Sequence, residues 1–557
     1  MASLAATFGR GAMTNGWVDI KNADVVLCMG GNPAENHPCG FKWAIEARKT
    51  RGAKIVAVDP RFTRTASVAD VYSPIRAGTD IAYLLGLIRY TIENKKYHED
   101  YVKLHTNAPY IVSEKYGFED GLFTGWSDEK KDYDKSNWAY MADEKSKAYA
   151  VDETLQNPRC VFQLLKEHVE RYTPDTVARI CGIPKETFLK VAEVVTSTGT
   201  PDRVGTIMYA LGWTEHSTGV QIIRSAAMLQ LLLGNVGRPG GGVNALRGHS
   251  NIQGATDMGG NTEILPGYMK TPVGSLQTLK DYLDTNTPTT LNKTPWPSMN
   301  YWQNYPKFTV SLLKACWGNA ATKDNDFGYG WLPKVDGNYS WAYMFDDMYR
   351  GNSKRAGGTE PGPEGLISFG MNPVGLGPNT GKILAALSKL KWLVVVENVE
   401  QESAQFWKSP REYGAPEASK IQTEVFLLPA ADFAEKDGSF TNSARWAQWK
   451  WKALDPPGQA KSDQEVLARL VLAVKALYAK EGGALPEAIA GLSWSYTNPA
   501  NPDLSEVLKE ISGKALADIP DPKDKTKTLK TAGQQLDGFG QLQDDGTTLC
   551  GNWLYGG

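Results

Sequence analysis

The sequence predicts an α/β protein built on doubly wound parallel sheets. Three observations predict it. Apolar runs of strand length alternate with amphipathic runs of helix length. The turn after each apolar run is polar and rich in Gly, Asn, Asp and Arg. One of those turns repeats in the second half of the chain. Parallel strands joined through helices bind ligands where strand C-termini meet the following loops, so the chemistry is expected in the turns.

The first run, "ADVVLCMGGNPAENHP", reads as a buried strand over 25–29 entering a Gly-Gly-Asn-Pro turn. "CGFKWAIEARKTRGA" follows with helical spacing, and "KIVAVDPRFTRTA" is a second apolar strand ending in Asp59-Pro60-Arg61. Strand, polar turn, helix and strand make a βαβ unit. "PIRAGTDIAYLLGLIRYTIENKK" starts a helix at Asp80 with Thr79 and Asp80 at its N-terminal cap, an anion or nucleotide position by geometry. From about 97 to 157 the chain is polar and aromatic with Lys/Asp runs, an insertion with little core of its own. Helices near 160–171 and 184–198, the strand "RVGTIMYAL" and a helix over about 219–235 resume the pattern. A second α/β segment holds "GLISFGMNP", a helix around 383–390, the strand "WLVVVE" and "TEVFLLPAADFAEKDGSFTN". Beyond Pro456-Pro457 come one apolar helix, about 465–479, and a Pro- and Lys-rich run, read as a tail that packs on something outside this chain. Three domains are expected: 1–250, Rossmann-like; 251–455, a second α/β domain with long loops; and 456–557, a linker and helical, polar tail.

Composition narrows the function. The 60 basic and 62 acidic residues leave a formal charge of -2, so no basic surface points to nucleic acid. The 55 glycines and 17 tryptophans suit an enzyme with many tight turns and large buried rings. The six cysteines include no C-x-x-C pair, so no iron-sulfur cluster or structural zinc is encoded by a local motif. No apolar run reaches membrane-spanning length; the nearest, "IAYLLGLIRYTI", carries Arg89 and reads as a buried helix. The opening residues carry no targeting pattern.

The stretch "GGGVNALRGHSNIQGATDMGG" places seven glycines around Arg247, His249 and two asparagines. Glycine at this density lets backbone approach a ligand, and the polar residues are donors suited to an anionic one; a long surface loop is the bland alternative. The turns lack G-x-G-x-x-G, which makes a nicotinamide dehydrogenase the weakest reading, and no G-x-x-x-x-G-K-[ST] loop is present. Singly, each turn could be an ordinary Asn-Pro turn, strand end or helix cap. In order, and repeated, they suggest two nucleotide-binding halves.

In that order the motifs resemble the molybdopterin dinucleotide oxidoreductases. More closely, "ASLAATFGRGAMTN", "GFEDGLFTGW", "YALGWTEHSTG", "NALRGHSNIQGATDMG" and "KIQTEVFLLPAADFAEKDGSFTN" are similar to catalytic subunits of selenocysteine-type respiratory formate dehydrogenases, with Arg247 the most specific mark. The resemblance implies formate oxidation to carbon dioxide at a bis-molybdopterin guanine dinucleotide centre holding molybdenum or tungsten. It implies that Arg247 anchors formate, with His249 and Asn251 behind it. Pterin dinucleotide contacts fall to Gly31, Asn32, Glu35, His37, Asp59, Arg61, Gly78, Thr79 and Asp80, with Gly212, Trp213, Thr214, His216, Gly370 and Asn372 lining the cofactor from the other side. Glu397 and Gln401-Glu402-Ser403 stand where relatives have Asp and Thr-Glu-Thr, a departure in the second loop.

The same resemblance places the metal-ligating selenocysteine or cysteine, a 4Fe-4S cluster and a twin-arginine signal upstream of "ASL", and a β-rich domain after "DDGTTLCGNWLYGG". The expectation is therefore a middle portion of a longer subunit, lacking an N-terminal iron-sulfur domain and a C-terminal β-rich domain, that alone neither folds well nor turns over. No metal ligand is expected within it. Implied partners are an iron-sulfur beta subunit and a membrane cytochrome b gamma subunit feeding quinone, with catalysis in the periplasm. The alternatives are another molybdopterin oxidoreductase, such as a nitrate or polysulfide reductase, and a non-catalytic truncated product.

Overall fold

A computed structural model of the chain describes residues 2–119, 121–291, 301–336, 340–353, 360–408 and 416–557. They divide into two compact units: Met1–Gly254 with Pro288–Asn300 and Phe440–Ala447, and Ala255–Thr287 with Tyr301–Ser439 and Gln448–Gly557.

The first unit is built on a five-stranded parallel sheet of β1 (Val25–Met29), β2 (Lys54–Val58), β3 (Val71–Ser73), β4 (Gly205–Tyr209) and β5 (Gly242–Ala245), in the order β3-β2-β1-β4-β5. Val25 of β1 pairs with Lys54 on one side and Gly205 on the other, both in parallel register. All five residues of β1 are buried, as a strand covered on both faces requires. The covering helices include α1 (Pro38–Arg51), α2 (Asp80–Glu93), α3 (Val161–Val169), α4 (Pro174–Cys181), α5 (Lys185–Thr196) and α6 (Gly219–Leu232). Helix α2 buries ten of its residues and is the buried helix the sequence predicts. Its Tyr83 meets Phe188 of α5 edge-on at 5.3 Å. The insertion forms two short hairpins, Phe118–Glu119 with Leu122–Phe123 and Trp126–Ser127 with Asp132–Tyr133, held by ring contacts such as Phe123 with Trp138.

The second unit has two cores. One surrounds α7 (Tyr305–Trp317). The other lies under a parallel sheet of β6 (Gly365–Phe369), β7 (Trp392–Glu397) and β8 (Glu424–Pro429), paired in chain order, with α8 (Thr380–Leu387) packed beneath Leu393 and Val395. Helices α9 (Asp463–Glu481) and α10 (Leu504–Ser512) follow. The run that the sequence leaves as a tail instead supplies Ala515, Ile519, Leu536, Leu542 and Trp553 to the core around α7. Trp553 stacks on Phe308 with centroids 4.3 Å apart, and its Nε1 donates to the Gly267 carbonyl at 2.8 Å. These apolar residues stand singly or in clusters of two or three among polar ones, too short for any periodicity to announce them. Among the described residues, no helix is long and apolar enough to cross a membrane.

Candidate functional site

In the first unit the strand order reverses between β1 and β4, and a crevice outside the strand C-termini is the expected ligand position. Two glycines let the turns meet there. Gly30 has φ +75°, and a Cβ on it would lie 2.4 Å from Trp213 Cδ1; one on Gly212 would lie 2.8 Å from the Gly30 carbonyl oxygen. A cavity of about 580 Å³ opens at this point. Of the residues chosen from sequence, Gly31, Asn32, His37, Asp59, Arg61, Asp80, Gly212, His216 and Arg247 line it. Asn36, Thr63 and Leu246 line it too, and nothing in their local sequence singled them out.

Two carboxylates face the cavity. Asp59 accepts the Arg61 N–H at 2.8 Å; burial pushes its carboxyl above the usual range, against the pull of that bond and of the Arg61 charge. Asp80 is 6% exposed and accepts Trp213 Nε1 at 3.0 Å. Burial raises its carboxyl as well, opposed by its own backbone N–H and by Trp213. Trp213 is fully buried and stacks on Tyr209 at 5.0 Å. Thr79 holds the N-cap position of α2 without a side-chain capping bond; its hydroxyl donates to the Arg76 carbonyl at 2.7 Å.

Several side chains chosen from sequence are spent on structure. Asn32 Oδ1 accepts from Thr65 N at 3.1 Å and Thr65 Oγ1 at 2.8 Å, and its Nδ2 donates to Glu35 Oε2 at 2.6 Å. Asn32 therefore ties the β1 turn to the segment after β2, with Glu35 holding the Asn32 amide, and Glu35 does not line the cavity. Gly78, at φ +84°, Thr79, Trp213 and Thr214 do not line the cavity; Trp213 is buried, while Gly78 and Thr214 are exposed. The His37 ring stacks on Trp17 at 5.8 Å and places Nε2 3.1 Å from the Arg247 carbonyl.

Arg247 lies at the cavity wall. Its Nη2 donates to the Gly11 carbonyl at 2.7 Å, one of the five N–H groups of a guanidinium. Its backbone N–H donates to Ser443 Oγ at 3.1 Å. His249 is exposed, and its Nδ1 accepts the Asn251 N–H at 3.0 Å; Asn251 Oδ1 accepts the Thr441 N–H at 2.9 Å. Ser443 and Thr441 were not singled out from sequence, since they lie about two hundred residues from their partners and no short-range pattern links them.

The second unit carries its own turn. Gly370, at φ +56°, donates its N–H to Val396 O at 3.0 Å, and Asn372 Oδ1 accepts from Gly375 N at 3.2 Å and Ser403 Oγ at 2.8 Å. Asn372 Nδ2 donates to Glu402, whose carboxyl is lowered by a backbone N–H and by this amide. Gln401 Nε2 bridges the Met371 carbonyl at 3.0 Å and Glu397 Oε2 at 3.1 Å. The two Asn-Pro turns thus differ: Asn372 caps its own helical turn, whereas Asn32 reaches across to Thr65.

Among the described residues, the Gly31 and Gly248 amides have no hydrogen-bond partner. With Arg61 and Arg247 they make a donor set for a phosphate-bearing ligand, while Asp59 and Asp80 suit hydroxyl or ring N–H groups. A family model described as molybdopterin oxidoreductase matches residues 2–406. The chain belongs to the molybdopterin oxidoreductase family. Membership implies a molybdopterin cofactor carrying a metal, and the donor set at the cavity fits its phosphate. The chain is 52% identical over its whole length to the formate dehydrogenase-O major subunit of Escherichia coli, covering 53% of that protein. It is 48% identical to the formate dehydrogenase major subunit of Haemophilus influenzae, again over its whole length and covering 52%. Against the formate dehydrogenase subunit alpha of Megalodesulfovibrio gigas the identity is 45%, with all of this chain and 53% of the relative covered. The chain spans about half the length of the curated relatives it matches.

Proposed function

We propose that this chain forms the cofactor- and substrate-binding part of a formate dehydrogenase catalytic subunit. Formate gives up its C–H bond, leaving as carbon dioxide, while one proton and an electron pair pass on. The metal centre of the cofactor supplies the acceptor for that pair. The observation that carries the reading is Arg247, at the wall of the cavity, with Nη2 on the Gly11 carbonyl and the rest of the fork available to a carboxylate. The names of the relatives support it.

In this reading the cofactor is the guanine dinucleotide form, two copies per centre, with molybdenum or tungsten. Gly31, Arg61 and Gly248 hold phosphate, and Asp59 and Asp80 hold ribose or guanine. His37 and Gly212 complete the wall with His216. Gly370 and Asn372 serve the second copy. Residues 1–250 are the pterin-dinucleotide-binding domain, joined by the strip 440–447 of the first unit, 251–455 otherwise make the second α/β domain, and 456–557 leads onward. A 4Fe-4S cluster, an iron-sulfur beta subunit and a membrane cytochrome b gamma subunit carry electrons to quinone, with catalysis in the periplasm.

The test is formate-dependent dye reduction by the holoenzyme, comparing Arg247 with Arg247→Lys and Arg247→Ala at equal cofactor content. Two charge-assisted hydrogen bonds are at stake, so Arg247→Ala should lower kcat/KM by about two to four orders of magnitude. Arg247→Lys should fall between, because an ammonium cannot offer the planar fork. Unchanged kinetics in Arg247→Ala would make the residue a clamp on Gly11 and remove its role as formate anchor, while absence of formate-dependent reduction by the parent holoenzyme would remove the formate assignment.

A further inference from the structure

An arginine can anchor a small anion only if its backbone aims it. The loop after Arg247 provides little aim of its own: residues 248–250 are exposed, and a Cβ on Gly248 would meet nothing within 4 Å. The aim comes from elsewhere in the first unit. The Arg247 backbone is held at both peptide groups that flank its Cα, its N–H by Ser443 Oγ at 3.1 Å and its carbonyl by His37 Nε2 at 3.1 Å and Ser443 Oγ at 3.5 Å. Ser443 is 5% exposed, so these bonds do not compete with bulk water.

The strip carrying Ser443 is itself fixed. Thr441 donates its N–H to Asn251 Oδ1, the Ala444 N–H donates to Asn442 Oδ1 at 3.0 Å, and Arg445 Nη2 donates to the Thr14 carbonyl at 3.2 Å. The arginine loop is thus tied to residues 441–445 at its beginning, through Ser443, and again at Asn251. A hydroxyl suits the first tie because one oxygen can accept from the Arg247 N–H and donate to the Arg247 carbonyl.

We propose that Ser443 is a positioning residue for Arg247, fixing the peptide from which the guanidinium reaches the substrate carboxylate. The inference rests on the reading of Arg247 as the formate anchor.

The deciding pair is Ser443→Thr and Ser443→Val, which share a shape and differ by the hydroxyl. In the holoenzyme at equal cofactor content, Ser443→Val should lower kcat/KM for formate about five- to tenfold, the worth of one such bond. It should raise the inhibition constant of azide, a competing monoanion, by a similar factor. Ser443→Thr should restore both, and hydrogen exchange at the Arg247 amide should be faster in Ser443→Val only. Equal kinetics and equal azide inhibition in the two variants would overturn the proposal. If Ser443→Val fails to load cofactor, exchange at the Arg247 amide in the two cofactor-free variants decides, and equal protection overturns it. Arg247→Ala separates the two readings: if it is inactive while Val and Thr behave alike, only the positioning role falls; if it turns over formate normally, the formate anchor falls and the positioning role with it.

Discussion

Trp213 Nε1 donates to Asp80 Oδ1 at 3.0 Å across 133 residues of sequence, joining the loop after β4 to the first turn of α2. The bond supplies a partner to a carboxylate that burial disfavours, and it seats the indole against which Gly30 is packed. An unpartnered buried carboxylate oxygen costs about 1 to 3 kcal/mol.

Trp213→Phe keeps a ring on Tyr209 and removes the donor. Stability at neutral pH should fall by about 1 to 3 kcal/mol in urea unfolding. The sign with pH follows from the raised Asp80 carboxyl. The folded state binds its proton at a higher pH than the unfolded state, so stability falls as pH rises from the unfolded value of 3.8 through the folded one. Losing Trp213 extends that window upward. The gap between variant and parent should therefore be widest at neutral pH and close on acidification.

Asp152 behaves in the opposite sense. Its carboxylate accepts from Thr154 Oγ1 at 2.6 Å, Asn157 N at 2.6 Å, Gln156 N at 2.8 Å and Thr154 N at 2.9 Å, and its pKa is lowered to about 2. The stability it contributes is fully present above the unfolded value of 3.8 and is lost as pH falls toward about 2. Asp152→Asn should lower the urea midpoint at neutral pH and show a shallower acid limb, the two curves meeting near pH 2. Parallel curves down to that pH would refute this.

Trp553→Ala should cost the second unit about 3 to 5 kcal/mol, from lost burial and the cavity left against Phe308. Hydrogen exchange reads it locally. Amides of α7 should lose protection while those of β1 keep theirs, since the two belong to different cores. Equal loss in both would show one cooperative unit instead.

Strands β1, β2, β4, β6 and β7 were legible because each is an apolar run closed by a polar turn, whereas β3 and the buried β5, which lies inside the glycine-rich stretch expected to be a loop or ligand site, are too short or too polar to stand out. Val25–Met29 and Trp392–Glu397 form where the alternation places them, and α9 extends the expected 465–479 by two residues at each end. The turns were legible as positions and not as partnerships. Asn32 reaches Thr65, Asp80 reaches Trp213 and Arg247 is held by Ser443, and no local spacing encodes bonds over such separations. The run after Pro457 was misjudged for the same reason: Leu536 and Leu542 are isolated in polar sequence, Trp553-Leu554-Tyr555 is too short to show a period, and only tertiary packing gives them a common side.

That packing sets an order of events during synthesis. Ser311 of α7 finds Thr548 only 237 residues later. At about 5 to 20 residues per second, a ribosome needs on the order of 10 to 50 s to make the intervening chain. For that time the face of α7 carrying Phe308 is made but has no Trp553 to meet. A nascent chain of this protein therefore presents an aromatic surface to solvent for tens of seconds, and its yield should depend on chaperones that cover apolar nascent chain and on translation speed downstream of Trp317.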